Sequence, residues 1–217
     1  MTPTLKEEKK LWKQGYKVVV GLDEAGRGAL AGPVVAAAVA MAKLKMKNEK
    51  LKTIFKNIKD SKQLTPKQRE EFYKLIAVNP HIKWGIGRVS EKIIDKINIK
   101  NAAELAMERA VKNLKMKNGK LKIGYLIVDG NQLANRKLKT MNHKLIVRAD
   151  EKVFSCAAAS ILAKVTRDKI MRQYHKKYPL YGLDKHKGYA TAKHLKALRK
   201  YKSCAIHRQS FRPVCSC

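Results

Sequence analysis

Acidic residues are scarce in this chain. Its 217 residues include 17 Asp+Glu against 49 Lys+Arg, a formal net charge of +32. A surplus of that size points to a polyanionic partner, nucleic acid first. A Lys-rich genome bias is the other source of the excess, because Lys outnumbers Arg and is spread along the whole chain. Aromatics are also few, at 6%, so the core must be built from Ala, Val, Ile and Leu. No apolar run approaches the roughly 20 residues of a membrane span. The stretch from Met1 to Lys17 is charged and lacks the apolar centre of a signal peptide. These absences set the expectation of a cytoplasmic protein off the membrane. There is no internal repeat and no low-complexity linker.

Hydrophobic residues make up 45% of the chain, which excludes a disordered basic tail. The length suits one domain with a full core, or a domain with a small appendage. Residues 17–22 read as a buried strand. Pro33 to Met41 reads as a second strand, packed on both sides. Lys43 to Lys52 reads as a solvated connection. Thr65 with Pro66 opens a helix through about Ile76. Ile82 to Val89 alternates as a third strand. Ser90 caps a short helix, and Asn101 caps a longer one to about Leu114. Gly124–Val128 and Lys144–Ala149 complete the strands. Val153 to about Tyr174 is a long Ala-rich helix that holds Cys156 as a small core residue. Thr191 caps a last helix to about Lys200, and residues 203–217 read as irregular. The order of elements predicts an α/β domain with a mixed sheet.

Three expected strand ends deliver acids: Asp23 with Glu24, then Asp129, then Asp150. Burying a carboxylate is costly unless a cation pairs with it. Four gathered in one pocket would raise one another's pKa unless metal ions bound between them. Mg²⁺ prefers oxygen ligands and keeps waters, which suits phosphate chemistry, and two such ions can activate a water and stabilise a leaving oxygen. Taken alone, Asp129 in Asp129-Gly130-Asn131 reads as a turn residue at least as well. Gly26-Arg27-Gly28 follows the first acids at once. Its glycines let backbone approach a ligand closely, and Arg27 can reach a phosphate. In His186-Lys187-Gly188-Tyr189, Tyr189 can stack on a sugar or base and Lys187 can contact phosphate. An exposed turn with a surface tyrosine explains the same residues.

Several motifs in order resemble the ribonuclease HII family. They are Gly21 to Gly28 with Leu30-Ala31-Gly32-Pro33-Val34-Val35; Asp60-Ser61-Lys62-Gln63-Leu64; Asp129-Gly130-Asn131; Asp150 ten residues before Ser160 in Ala157 to Asp168; Tyr178-Pro179 with Tyr181-Gly182; His186 to Tyr189; and His207-Arg208 with Ser210-Phe211. The resemblance covers roughly residues 17–214. It implies a ribonuclease H-like mixed five-stranded sheet flanked by helices, with a C-terminal helical segment. The implied division is a core over about 17–175 and a substrate-contacting segment over 176–217, within one domain. It implies catalytic, metal-binding acids at Asp23, Glu24, Asp129 and Asp150, using Mg²⁺ or Mn²⁺, with two ions during catalysis. It implies substrate contacts at Gly26, Arg27, Gly28, Ser61, Lys62, Lys187 and Tyr189. The implied substrates are RNA in RNA–DNA hybrids and single ribonucleotides in duplex DNA. They would be cut 5′ to the ribonucleotide, leaving a 3′-hydroxyl and a 5′-phosphate. The implied reader of the 2′-hydroxyl is Gly26-Arg27-Gly28 with Tyr189. That fits the physics, since this group alone separates RNA from DNA at a given site. A monomer is expected.

The chain departs from the family pattern at Ala29, where a proline is common, and at Glu151, where a serine is usual. Glu151 is expected to face solvent from a strand end. Ribonuclease HIII is set aside because it lacks Gly-Arg-Gly here and carries an extra N-terminal domain, for which 16 residues leave no room. Cys204, His207, Cys215 and Cys217 could form a zinc set, although their spacing matches no common finger or ribbon. A surface tail with free thiols is the preferred reading. A basic duplex-binding protein without catalysis is the main functional rival.

Overall fold

The computed structural model describes residues 2–42, 58, 61–119 and 121–216. The expected connection at Lys43–Lys52, Asp60 and Cys217 lie outside them. The sheet has five strands: β1 (Val18–Ala25), β2 (Val34–Ala42), β3 (Ile82–Val89), β4 (Tyr125–Asp129) and β5 (His143–Ile146). Their spatial order is β3-β2-β1-β4-β5. The β1–β2 and β2–β3 pairs are antiparallel, whereas β4 runs parallel to both β1 and β5. The expected mixed sheet is therefore present.

The helices are α1 (Lys6–Lys13), α2 (Pro66–Val78), α3 (Glu91–Lys117), α4 (Arg136–Lys139), α5 (Ala149–Lys152), α6 (Phe154–Lys177), α7 (Leu183–His186) and α8 (Ala192–Tyr201). Strand alternation divides the core. Val20 and Leu22 of β1, with Ala36 and Ala38 of β2, pack toward Ala102, Ala106 and Ala110 of α3. Ala37, Val39 and Met41 turn to the other face, against Ala157, Ala158 and Ile161 of α6. The approach of α6 is close: a Cβ on Gly21 would lie 2.4 Å from the Ser155 carbonyl carbon. That leaves Asp23, two residues on and on the same face, close beside α6. A third cluster joins Leu30 and Ala31 to Met171, Leu183, Leu198 and Ile206, which ties the C-terminal segment to the loop after β1.

Local sequence explains several boundaries. Thr65 and Gln68 form a reciprocal capping box at the start of α2. Thr191 accepts from the His194 N–H at the start of α8. Other expectations need correction. The first strand does not stop at residue 22 but continues through both acids. The cap before the long part of α3 is Asn98, not Asn101: Asn98 breaks the helix at φ 62, ψ 166 and accepts from the Asn101 N–H at 3.1 Å. The strand expected over Lys144–Ala149 ends at Ile146, so Asp150 stands in α5 rather than at a strand end. Arg148 in the left-handed region (φ 55) turns the chain there. Glu151 is accordingly helical and half-buried, and the alternation argument for its exposure does not apply. Nor is the described part of the stretch expected as a surface tail, residues 203–216, on the surface throughout, because Ile206, His207, Arg208 and Val214 are all buried.

α1 has no counterpart in the sequence reading. Its signal was Leu5, Glu8 and Leu11 at helical spacing, all three buried. Glu8 accepts from the Ser155 N–H at 2.8 Å and so caps α6, whose own N-cap, Val153, has no side chain able to do so.

Candidate active site

β1 and β4 lie side by side, so Asp23 and Asp129 emerge at the same end of the sheet. Asp150 reaches them from α5. Asp129 Oδ1 accepts from the Ala149 N–H at 2.7 Å, which fixes the turn that presents Asp150. Carboxylate oxygens of Asp23, Asp129 and Asp150 all lie within 4.8 Å of one another. Among the described residues this is the only such group of three or more His, Cys, Asp or Glu. Glu24 stands at its edge. Alternation along β1 turns Glu24 the opposite way from Asp23, and Arg27 Nη1 pairs with its Oε1 at 3.2 Å.

Asp23 is almost fully buried. Burial raises its pKa well above the ordinary range, and the charges of Glu24 and Asp129 raise it further. A hydrogen bond from Ser160 acts in the opposite direction. Ser160 Oγ also lies 2.9 Å from Ser61 Oγ, so two hydroxyls back the central acid. Burial likewise raises the Glu24 pKa, and Arg27 opposes it. Among the described residues, buried Glu24 Oε2 has no hydrogen-bond partner. Lys62 Nζ lies 3.1 Å from Asp150 Oδ2.

The acids open into a cleft of about 490 Å³. Asp23, Glu24 and Asp129 line it, with Gly26-Arg27-Gly28, Ser61, Lys62 and Tyr189 of the expected contacts. Lys187 does not. Its backbone is left-handed (φ 53) and its ammonium turns back to the Asp184 carbonyl. Arg69, Ser160 and Lys164 line the cleft and were missed by sequence reasoning. Arg69 donates to the Ser61 and Leu64 carbonyls and so shapes the Ser61-Lys62 turn. Lys164, paired with Asp168, stands 5.4 Å from the centre of the Tyr189 ring. The signal for Ser160 and Lys164 was their place on the Ala-rich α6, where a polar group needs a reason to be; Arg69, on α2, had none. The Cys204 sulfur meets His207 Nδ1 at 3.2 Å, and His207 Nε2 meets His194 Nε2 at 3.2 Å. Cys215 is exposed.

The oxygen-only donor set, the raised Asp23 pKa and the orphaned Glu24 oxygen all fit hard divalent cations. A mixed sheet in this order, with acids gathered at the ends of its central strands beside a basic cleft, defines a ribonuclease H-type hydrolase. The sequence profile of the Ribonuclease HII family matches residues 20–214. The chain belongs to the ribonuclease HII family. It is 45% identical over 204 residues to a Ribonuclease HII from Caldicellulosiruptor bescii, covering 94% of this chain and 91% of the relative. A Ribonuclease HII from Chlamydia caviae is 42% identical over 207 residues, covering 95% and 90%. The crystal structure of the ribonuclease H2 from Pyrococcus horikoshii OT3 superposes with a TM-score of 0.68 at 29% identity, over 92% of this chain and 96% of that one. Bst-RNase HIII in complex with Mn²⁺, at 18% identity and a TM-score of 0.69 over 91% of this chain and 68% of that one, shares the fold. The protein is therefore a ribonuclease H, an endoribonuclease of RNA paired with DNA.

Proposed function

We propose that the chain also nicks duplex DNA 5′ to a single embedded ribonucleotide, leaving a 3′-hydroxyl and a 5′-phosphate. One observation carries this reading. The Gly26-Arg27-Gly28 turn and Tyr189 line the same cleft as the acids. Recognition of one ribose and cleavage beside it then need no second site. The turn tests for the 2′-hydroxyl with backbone groups, which read no base sequence.

Asp23, Glu24, Asp129 and Asp150 would hold Mg²⁺ or Mn²⁺. Two bound ions would supply an activated water and charge stabilisation for the leaving oxygen. The chain's own residues do the positioning. Ser61 and Ser160 orient Asp23, Asp129 orients the turn bearing Asp150, and Lys62 and Arg27 offer exposed cations to the phosphates flanking the cut. Tyr189 offers a ring face to the sugar or base. Net charge holds any duplex without regard to sequence.

The chain is read as one ribonuclease H type 2 domain, with 176–217 as its substrate-contacting segment, acting as a cytoplasmic monomer. No described helix is long and apolar enough to cross a membrane. The test is a labelled DNA duplex with one ribonucleotide, with and without Mg²⁺ or Mn²⁺. A metal-dependent nick 5′ to the ribonucleotide supports the reading. No cut, or an equal cut in an all-DNA duplex, refutes it.

A further inference from the structure

Arg167 and Arg208 are the two largest fully buried side chains among the described residues. Burying a guanidinium is expensive, and a carboxylate partner is the usual compensation. Among the described residues, every hydrogen bond of both groups ends on a main-chain carbonyl. Arg208 donates to Gly26 (2.7 Å), Arg27 (2.8 Å) and Gly32 (2.9 and 3.0 Å). Arg167 donates to Pro33 (2.9 Å), Ala31 (3.0 Å) and Lys187 (3.0 Å). Burial lowers both pKa values, that of Arg208 to about 9. Two costly cations are thus committed to one loop, the one that carries Gly26-Arg27-Gly28.

Peptide geometry gives the consequence. In a planar trans peptide the C=O and the following N–H point in opposite directions. The Gly26 and Arg27 carbonyls point at Arg208, so the Arg27 and Gly28 N–H groups point away from it. Arg208 lies outside the cleft lining, and Gly26, Arg27 and Gly28 lie within it. Neither N–H has a main-chain partner among the described residues. Arg167 acts from beneath. Gly26 has φ 98, and a Cβ there would lie 2.0 Å from Arg167 Nε, so the turn rests directly on this guanidinium. The same group holds the Lys187 carbonyl and sits 5.2 Å from the Tyr189 ring. Both recognition elements therefore share one support.

We propose that Arg167 and Arg208 are positioning residues for ribose recognition: by holding the turn's carbonyls they aim the Arg27 and Gly28 N–H groups at the 2′-oxygen and set the Tyr189 ring beside it. The inference rests on the proposed reading of the 2′-hydroxyl and adds the residues that make it selective.

The test compares binding of a DNA duplex containing one ribonucleotide with binding of the all-DNA duplex, by anisotropy and without divalent metal. Arg167→Lys and Arg208→Lys keep a charge and lose the planar fork that spans several carbonyls. Each is expected to lower the ribonucleotide preference about tenfold, the weight of one or two hydrogen bonds. Mn²⁺ affinity of the substrate-free protein should stay within about twofold, because the hydrogen bonds of both residues go to main-chain carbonyls and to none of the four cleft acids. Ile94→Val, a core change on the opposite face of the sheet, should leave the preference intact. Folded lysine variants with wild-type preference would overturn the inference, as would an equal loss in Ile94→Val. If neither lysine variant folds, hydrogen exchange in the wild type decides. Arg27 and Gly28 amides that exchange freely alone, and are protected by the ribonucleotide duplex only, support the inference; protection in the free protein overturns it. A wild type with no ribonucleotide preference instead removes the functional reading on which this rests.

Discussion

Lys62 Nζ lies 3.1 Å from Asp150 Oδ2, an exposed ammonium resting on a buried carboxylate. It offsets part of the negative charge of the cluster. A divalent ion arriving at Asp150 must compete with it. Lys62→Met is therefore expected to tighten Mn²⁺ binding by the substrate-free protein, by about two- to fivefold. The same change removes a cation from the cleft and should weaken duplex binding. Calorimetric Mn²⁺ titration checks the first effect. A looser metal in the variant would mean that Lys62 holds the acids in place instead.

Asp23 is buried, and its folded-state pKa lies well above the ordinary value. The ionised form is then penalised by folding. The penalty grows as pH rises from the usual carboxylate range through the raised value, and it persists above that. The isosteric neutral change Asp23→Asn should raise the unfolding temperature of the metal-free protein near pH 7. It should also cut hybrid cleavage by about a hundredfold or more. Mn²⁺ should raise the unfolding temperature of the wild type more than that of the variant. Thermal melts with and without metal measure both effects, and a destabilised metal-free variant would contradict the burial argument.

Tyr189 presents its ring to the cleft, with Lys164 and Arg167 beside it. If the ring is the working part, Tyr189→Phe should keep most activity on a single embedded ribonucleotide. Tyr189→Ala should lose about tenfold or more, consistent with a stacking contact of about 1–3 kcal/mol. Melting temperatures taken alongside the rates separate this from misfolding. Equal losses in the two variants would assign the work to the hydroxyl.

His194 is fully buried and is held to a pKa of about 4, chiefly by desolvation. Its Nδ1 meets the Tyr189 carbonyl at 3.0 Å, its ring stacks on His186 at 4.4 Å, and its Nε2 meets His207 at 3.2 Å. An unfolded histidine titrates near 6.5. Between those values the unfolded chain binds more protons than the folded one. The stability present above about pH 6.5 should therefore drain as pH falls toward 4, by up to about 3 kcal/mol. Urea unfolding at pH 7, 5.5 and 4.5 reads the slope. His194→Gln should flatten it relative to the wild type; an unchanged slope would place the titration elsewhere.

The sequence made the first acids legible because they sit on an apolar strand and precede a glycine-rich turn. Asp129 also ends an apolar strand, Tyr125–Asp129, but alone it suited a turn at least as well, and the order of motifs assigned it. Asp150 was found by motif but placed on the wrong element. The run from Lys144 to Ala149 suits a strand, but β5 stops at Ile146, Arg148 turns left-handed, and the Asp129 carboxylate holds the Ala149 N–H beyond it, a contact no local pattern encodes. The cap that Glu8 supplies to α6 spans 147 residues and was hidden for the same reason. Arg167 and Arg208 were hidden differently. In a chain with 49 Lys+Arg, two buried arginines look like the solvated ones until the carbonyls around them are seen. Lys187 shows the converse. It has the residue type and neighbourhood of a phosphate contact, yet a left-handed backbone turns it away from the cleft.

Chain order gives the two anchors of the turn different histories. The acids span residues 23 to 150, and Arg167 follows soon after. The bond from Arg208 to the Gly26 carbonyl closes a separation of 182 residues. Chains emerge from the ribosome N-terminus first. A nascent chain thus carries every carboxylate of the cleft well before it carries the arginine that holds the turn. Under the proposed reading, the acids are synthesised ahead of the last anchor of the turn, and selectivity is complete only once the C-terminal segment has docked on the loop after β1.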